Sequence, residues 1–421
     1  MTEGTDSSAP DPAATPPPSP AFAPPPGNPR FPLLDGLRGF AVLGILSYHT
    51  AQLTGRIGFG PLGRASEVAG NDAVVIFFVI SSFLLYRPYA LARATGRRAP
   101  TVRRYARRRV MRILPAYWSA LTLLAIFPGI AGVFSGDWWR YYGYLQIYSH
   151  STYIKGIPQA WTLCVELPFY AAVPLWAASV RRLGKARGAA GHLRAELWPV
   201  TILGVGGLAV QLIAAHGDIT TLLATAVTGQ CSWLALGMAL AAASVAVQVD
   251  GASLSRVRAL ADRPGLCWLV SAAAFVALMF LVPSGGLFGI VAQKAQPQSV
   301  ARTLLTLVLE GVQAVTLVAP AVFGDQRTGF PRRFLSTRPL LRLGVLSYSF
   351  YLWHFTIAMF IGLPRATPFF SADGLGLLDH VHRARTAVLF IATLGVTWAV
   401  ASISYRFIEL PFLTLKERRK A

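Results

Sequence analysis

Apolar residues in this chain come in long runs rather than in short amphipathic stripes. Ten segments of roughly spanning length lie near 34–53, 71–90, 113–134, 160–180, 198–216, 222–247, 265–283, 303–323, 343–363 and 386–408. About 20 apolar residues at helical rise cross the hydrocarbon core of a bilayer. The pattern therefore predicts an all-α, polytopic integral membrane protein with about ten transmembrane helices. Residues 1–31 contain ten of the 29 prolines and almost no large apolar side chains, so a disordered cytoplasmic tail is expected there. Residues 32–412 read as one membrane domain and 413–421 as a short basic cytoplasmic tail. No repeat of fixed period and no added soluble domain stands out.

Composition supports the membrane class: 54% of residues are hydrophobic and only 14% charged, against about a quarter charged in soluble domains. The formal charge of +21 would suit nucleic acid, but the basic residues sit in clusters between apolar runs. That placement is a topology signal. With the N-terminus inside, inner segments hold 30 Lys and Arg and outer ones nine. Both termini are then cytoplasmic, and a multi-pass protein of the inner (plasma) membrane is expected. The three cysteines lie in three different apolar runs with no metal-ligand spacing, which predicts free thiols and no metal site.

Against this apolar background, a few ionisable residues call for explanation. The first helix carries Arg38 near its start and His49 eleven residues on. Eleven residues are close to three whole helical turns and about 16 Å, so the two share one stripe. Glu166 enters the bilayer from the outer side about six residues, or 9 Å, deep. Near the inner end of the ninth segment, Leu343 is followed eleven residues later by His354, at a depth comparable to that of His49. The outer loop 135–159 is rich in Trp and Tyr, which predicts a short interfacial helix or re-entrant piece. Polar groups such as Gln230, Glu310 and Gln313 suit hydrogen bonds between helices.

Several stretches, in order, resemble acyltransferase family 3, the bacterial membrane O-acyltransferases of sugars and natural products. Leu34-Asp-Gly-Leu-Arg38 with Arg-x10-His is one, and Phe77-Phe-Val-Ile-Ser-Ser-Phe-Leu84 another. Arg109-x-x-Arg-Ile-Leu-Pro-Ala-Tyr-Trp118, Trp161-Thr-Leu-Cys-Val-Glu166, Gly344-x-x-Ser-Tyr with Tyr351-Leu-Trp-His354, and Tyr405-Arg-Phe-Ile-Glu-Leu-Pro411 follow. The resemblance covers about residues 33–412. It departs from the family pattern at Ser82, where Gly is usual, and at Val75, where many members carry Asp; that role is lost or moved, with Asp72 a nearby substitute. Leu167 and Pro168 replace a second acid and an amide, so Glu166 alone carries that motif. Arg406 and Glu409 read as an ion pair at the inner surface.

The resemblance implies transfer of an acyl group, acetyl or longer, from cytoplasmic acyl-CoA to a hydroxyl of a cell-surface glycan, glycolipid or glycosylated natural product. Acyl-CoA is then a donor substrate and no cofactor is expected; membrane lipid is a further partner and nucleic acid is not. A hydroxyl needs a base near neutral pH, which assigns His49, as general base or as an acyl-histidine nucleophile. Glu166 is the second catalytic candidate: it orients or charge-stabilises His49, or binds the acceptor hydroxyl. Arg109 and Arg112, on one helix face, suit the phosphates of coenzyme A. Arg38 suits a phosphate or pantetheine oxygen, and His354 is the remaining candidate at the substrate site. The alternative is a transporter or proton-coupled exporter that uses the same intramembrane His and Glu residues.

Overall fold

The computed structural model describes residues 31–153, 155–182, 188–215, 221–250, 254–281, 299–324, 326–363, 375–380 and 384–415. The proline-rich tail, apart from Phe31, lies outside the described residues, as do 416–421 of the basic C-terminal tail. The described chain is helical: α1 (Pro32–Leu53), α2 (Gly60–Ala94), α3 (Val102–Ile126), the short α4 (Trp138–Tyr142), α5 (Trp161–Arg182), α6 (Gly188–Ala215), the short α7 (Thr221–Thr225) and α8 (Val227–Val249). There follow α9 (Ser255–Ala261), α10 (Pro264–Leu281), α11 (Val300–Val322), α12 (Phe330–Leu335), α13 (Arg338–Gly362), α14 (Leu377–His380), α15 (Arg385–Ser404) and α16 (Leu410–Leu415).

Eight of the described helical segments are long and apolar enough to cross a membrane: those at α2, α5, α6, α8, α10, α11, α13 and α15. The ten expected from the apolar runs included α1 and the second half of α3. Both are full-length helices of 22 and 25 residues, but neither reaches the apolarity of the other eight. α1 carries Asp35, Arg38, His49 and Gln52, and α3 opens on a run of arginines. α3 also begins well before the expected boundary at 113, because Thr101 caps it by accepting from the Arg104 amide. These two less apolar helices carry Arg38, Arg109 and Arg112, which are only part-buried, whereas the buried Glu67, Asp72 and Arg87 lie on α2.

α1 packs chiefly on α13 and α2, and small residues set how close it comes. A Cβ added at Gly344 would lie 1.8 Å from the Asp35 carbonyl oxygen, and one at Gly39 would lie 2.2 Å from the Leu340 carbonyl oxygen. Backbone therefore meets backbone at the start of α1, and the crossing holds the rest of the helix beside α13. His49 of α1 is brought to His354 of α13 in this way.

The aromatic segment between α3 and α5 contains the expected short helix, α4, docked on the middle of α3. The Tyr117 hydroxyl donates to the Tyr141 carbonyl at 2.9 Å, and Trp118 Nε1 to the Tyr142 carbonyl at 3.0 Å. The Tyr117 and Tyr144 rings stack at 4.3 Å. Trp138, Trp139 and Tyr148 stay exposed while Tyr141 and Tyr144 are buried, so the aromatics divide into an outer and a packed set. At the start of α5, Gln159 Nε2 donates to the carbonyls of Tyr351 and Leu352 at 3.0 and 3.2 Å. Those carbonyls lie about 20 Å along α13, so the N-terminus of α5 is anchored at the depth of the interior rather than at a helix end.

One local expectation is corrected. Arg406 and Glu409 form no ion pair: Arg406 is exposed, and buried Glu409 accepts from the Ser349 hydroxyl. Residues Tyr405–Glu409 form a π-helical turn. Its i→i+5 bonds widen the helix, so residues three apart no longer stack on one face.

Candidate functional site

A cavity of about 250 Å³ opens between α1, α2, α3, α5 and α13. Each helix contributes through its periodicity. α1 supplies Arg38, held by Asp35 one turn earlier at 3.4 Å, and Ile45 two turns later. α3 supplies Arg108, Arg109 and Arg112, and α2 supplies an apolar wall around Phe77 and Phe78 with Ser81 set in it. α5 supplies Thr162, Glu166 and Tyr170, at i, i+4 and i+8 on one face. α13 closes the cavity with Ser347, Tyr348 and Tyr351.

Within it, the Tyr170 hydroxyl donates to the Glu166 carboxylate and lies 3.1 Å from Ser81 Oγ. The guanidinium groups acting on Glu166 are those of Arg38 and Arg109. Arg109 also lies over the Tyr105 and Tyr170 rings, 6.0 Å from each centroid, and its Nε is a buried donor without a protein acceptor. The cavity thus has a cationic floor of four arginines, one carboxylate fixed among them, and an aromatic roof. Such a set accepts anionic groups through bidentate forks.

The two histidines lie one turn beyond the roof. Ile45 and Tyr351 line the cavity; His49 follows the first by four residues and His354 the second by three. Their rings sit 5.2 Å apart at 45°. His49 Nδ1 is 3.2 Å from the Gln52 amide oxygen, and its ring packs 4.3 Å from that of Phe355. His354 Nδ1 is 2.9 Å from the Tyr351 carbonyl.

The structure therefore groups the sequence-derived residues in two sets. Arg38, Arg109, Arg112 and Glu166 share the cavity, and His49 and His354 meet beside it. Glu166 has Tyr170, Ser81 and the arginines as neighbours; the imidazole that the sequence reading set beside it is not among its contacts. Asp72 is buried where α2 faces Glu310 and Gln313 of α11, outside the cavity lining. The sequence reading left Ser81, Tyr170, Tyr348, Tyr351 and Arg108 without a role. The spacing of Glu166 and Tyr170 was the available signal for one of them. Among the described residues, no group of three or more His, Cys, Asp or Glu is placed to hold a metal ion.

Fold and site define a multi-spanning membrane protein with a charged interior cavity. The chain belongs to acyltransferase family 3: the family model described as an acyltransferase domain matches residues 31–405. Among named relatives, the chain is similar to the O-acetyltransferase OatA of Staphylococcus aureus strain NCTC 8325 / PS 47 and to that of strain MRSA252. Each is 26% identical over 403 residues, which covers 91% of this chain and 57% of the relative. The chain thus spans little more than half the length of these relatives. No solved structure matches it.

Proposed function

We propose that the protein is an acyl-CoA-dependent membrane O-acyltransferase that moves an acyl group, acetyl in the simplest case, to a hydroxyl of a glycan, glycolipid or glycosylated natural product. The acetyl choice leans on the name of the S. aureus relatives. The observation that carries the reading is one cavity that gathers Arg38, Arg108, Arg109 and Arg112, with two of its lining residues, Ile45 and Tyr351, one helical turn from the paired His49 and His354. By the charge asymmetry of the loops the arginine end is cytoplasmic, where acyl-CoA is available. The protein would then be a multi-pass component of the plasma membrane.

Coenzyme A carries three phosphate groups, and the α3 arginines offer them planar forks. Arg38 and Glu166 meet the polar pantetheine amides further in, with Tyr170 holding the carboxylate still. The thioester then lies near the roof. His49 takes the proton of the acceptor hydroxyl as its oxygen attacks the acyl carbon; the C–O bond forms, the C–S bond breaks, and the thiolate of coenzyme A takes up the proton. Apolar walls of Phe77, Phe78 and Ile45 exclude water, which would otherwise hydrolyse the thioester.

The test is acceptor-dependent release of free coenzyme A by the purified protein in lipid nanodiscs, with acetyl-CoA as donor and a panel of glycosides as acceptors. Mass spectrometry of the acceptor should show one acyl increment. A donor that stays intact with every acceptor, while a glycoconjugate crosses proteoliposomes, would establish the exporter instead.

A further inference from the structure

His354 has a fixed hydrogen pattern. Its Nδ1 lies 2.9 Å from the Tyr351 carbonyl and 3.2 Å from that of Phe350. Carbonyl oxygens only accept, so Nδ1 carries the hydrogen, and in the neutral ring Nε2 is then a lone pair. That Nε2 is buried and meets no protein donor, in a residue whose exposure is 0%. A buried acceptor left unmet is destabilising, and such groups call for a functional explanation.

The surroundings hold this arrangement in place. Gln159 Nε2 fixes the carbonyls of Tyr351 and Leu352, the Tyr351 hydroxyl donates back to the Gln159 carbonyl, and Thr162 Oγ1 is 2.7 Å from that hydroxyl. The Phe350 ring stacks on the imidazole at 5.9 Å. The clamp is built from Tyr351 and Thr162, which themselves line the cavity. The ring next to the clamped imidazole is that of His49, at 5.2 Å.

We propose that the base of the site is the His49–His354 pair, with His354 Nε2 sharing the proton that the acceptor hydroxyl gives up. The proposal rests on the acyltransfer reading above and adds a second residue to it. The hydroxyl oxygen bonds to the acyl carbon and its proton passes to the imidazole pair. As the C–S bond breaks, the pair returns that proton to the thiolate sulfur, so coenzyme A leaves as the thiol and both rings end neutral. His354 acts through His49 and positions its proton; a base oriented by a third group is the general logic of activated nucleophiles.

The test separates the two nitrogens. His354→Asn places an amide nitrogen where Nδ1 sits and keeps the bond to the Tyr351 carbonyl, but puts nothing at Nε2. The expected result is unchanged thermal unfolding and acetyl-CoA binding, with kcat lowered roughly 10-fold or more and KM for the donor held, a fraction of the 10²–10⁴ typical of a whole general base. A His354→Asn protein with wild-type kcat overturns the proposal, since the clamp alone then suffices. If this variant loses donor binding or fold, ¹⁵N spectra of histidine-labelled wild type decide. A protonated Nδ1 with a bare Nε2 at His354 supports the proposal, and a protonated Nε2 overturns it. Wild-type protein that transfers no acyl group in the assay above removes the acyltransfer reading and this inference with it, a result distinct from an active His354→Asn.

Discussion

The arginine end of the cavity and the histidine pair are built on opposite principles. The first is roomy and charged, with Arg109 and Arg112 only half-buried. The second is closed: His49 and His354 are 4% and 0% exposed and wrapped in Phe350, Phe355 and Tyr351. A cationic chamber suits binding of a charged donor. A closed aromatic pocket suits proton transfer without competing water. α1 spans both, with Arg38 in the chamber and His49 in the closed pocket. Under the proposed function, binding belongs to one region and chemistry to the other, and variants should divide accordingly.

The largest expected effect is at His49. His49→Ala should lower transfer by roughly 10²–10⁴ while acetyl-CoA binding stays near wild type, because the proposed phosphate site is at the other end of α1. His49→Gln should be almost as slow, since an amide fills the space without accepting the proton; a His49→Gln protein with most of its rate would break the division. Next come Arg109→Ala and Arg112→Ala. Each removes hydrogen bonds to a charged partner worth about 1.5–3 kcal/mol, which is roughly 10- to 100-fold in donor affinity by calorimetry. kcat at saturating donor should change much less. Equal losses in kcat would merge the two regions into one.

A third, smaller effect tests the packing that joins them. Gly344→Ala forces a methyl onto the Asp35 carbonyl, and such overpacking costs about 1–3 kcal/mol. Lower thermal stability in detergent is expected, with donor binding and turnover falling together as α1 shifts. Unaltered stability would mean that the crossing is looser than the backbone contact implies. The smallest expected change is Tyr170→Phe, which leaves Glu166 without its phenol donor. One hydrogen bond of about 0.5–1.5 kcal/mol predicts a several-fold weaker donor affinity, sharpening the assignment of Glu166 to the binding region.

Much of this was legible along single helices. The eleven-residue step from Arg38 to His49, the i, i+3 pair of Arg109 and Arg112, and the short aromatic helix before α5 all follow from residue spacing. What spacing misjudged was set by neighbours. Arg406 and Glu409 have the right interval for a pair, but a π-helical turn separates them. Glu166 was expected to orient or charge-stabilise His49, or to bind the acceptor hydroxyl, and Tyr170 and the arginines of other helices are what surround it. Ser81 sat in a matched stretch without a role of its own, and its partner Tyr170 is supplied by another helix, α5.

The sequence by itself determined a helical membrane protein, the family it belongs to, and which ionisable residues fall within apolar runs. Those follow from local quantities: an apolar run must span, a charge must have a reason to be buried, and 1.5 Å per residue sets depth along one helix. Only the tertiary structure decided that the four arginines and Glu166 share one chamber, and that His49 meets His354 outside it. Rotation and closeness between helices depend on contacts such as Gly344 against the Asp35 carbonyl and Gln159 against the α13 carbonyls. Those contacts join residues hundreds of positions apart, and in a bilayer they rest on packing and hydrogen bonds rather than on a hydrophobic pattern that sequence displays.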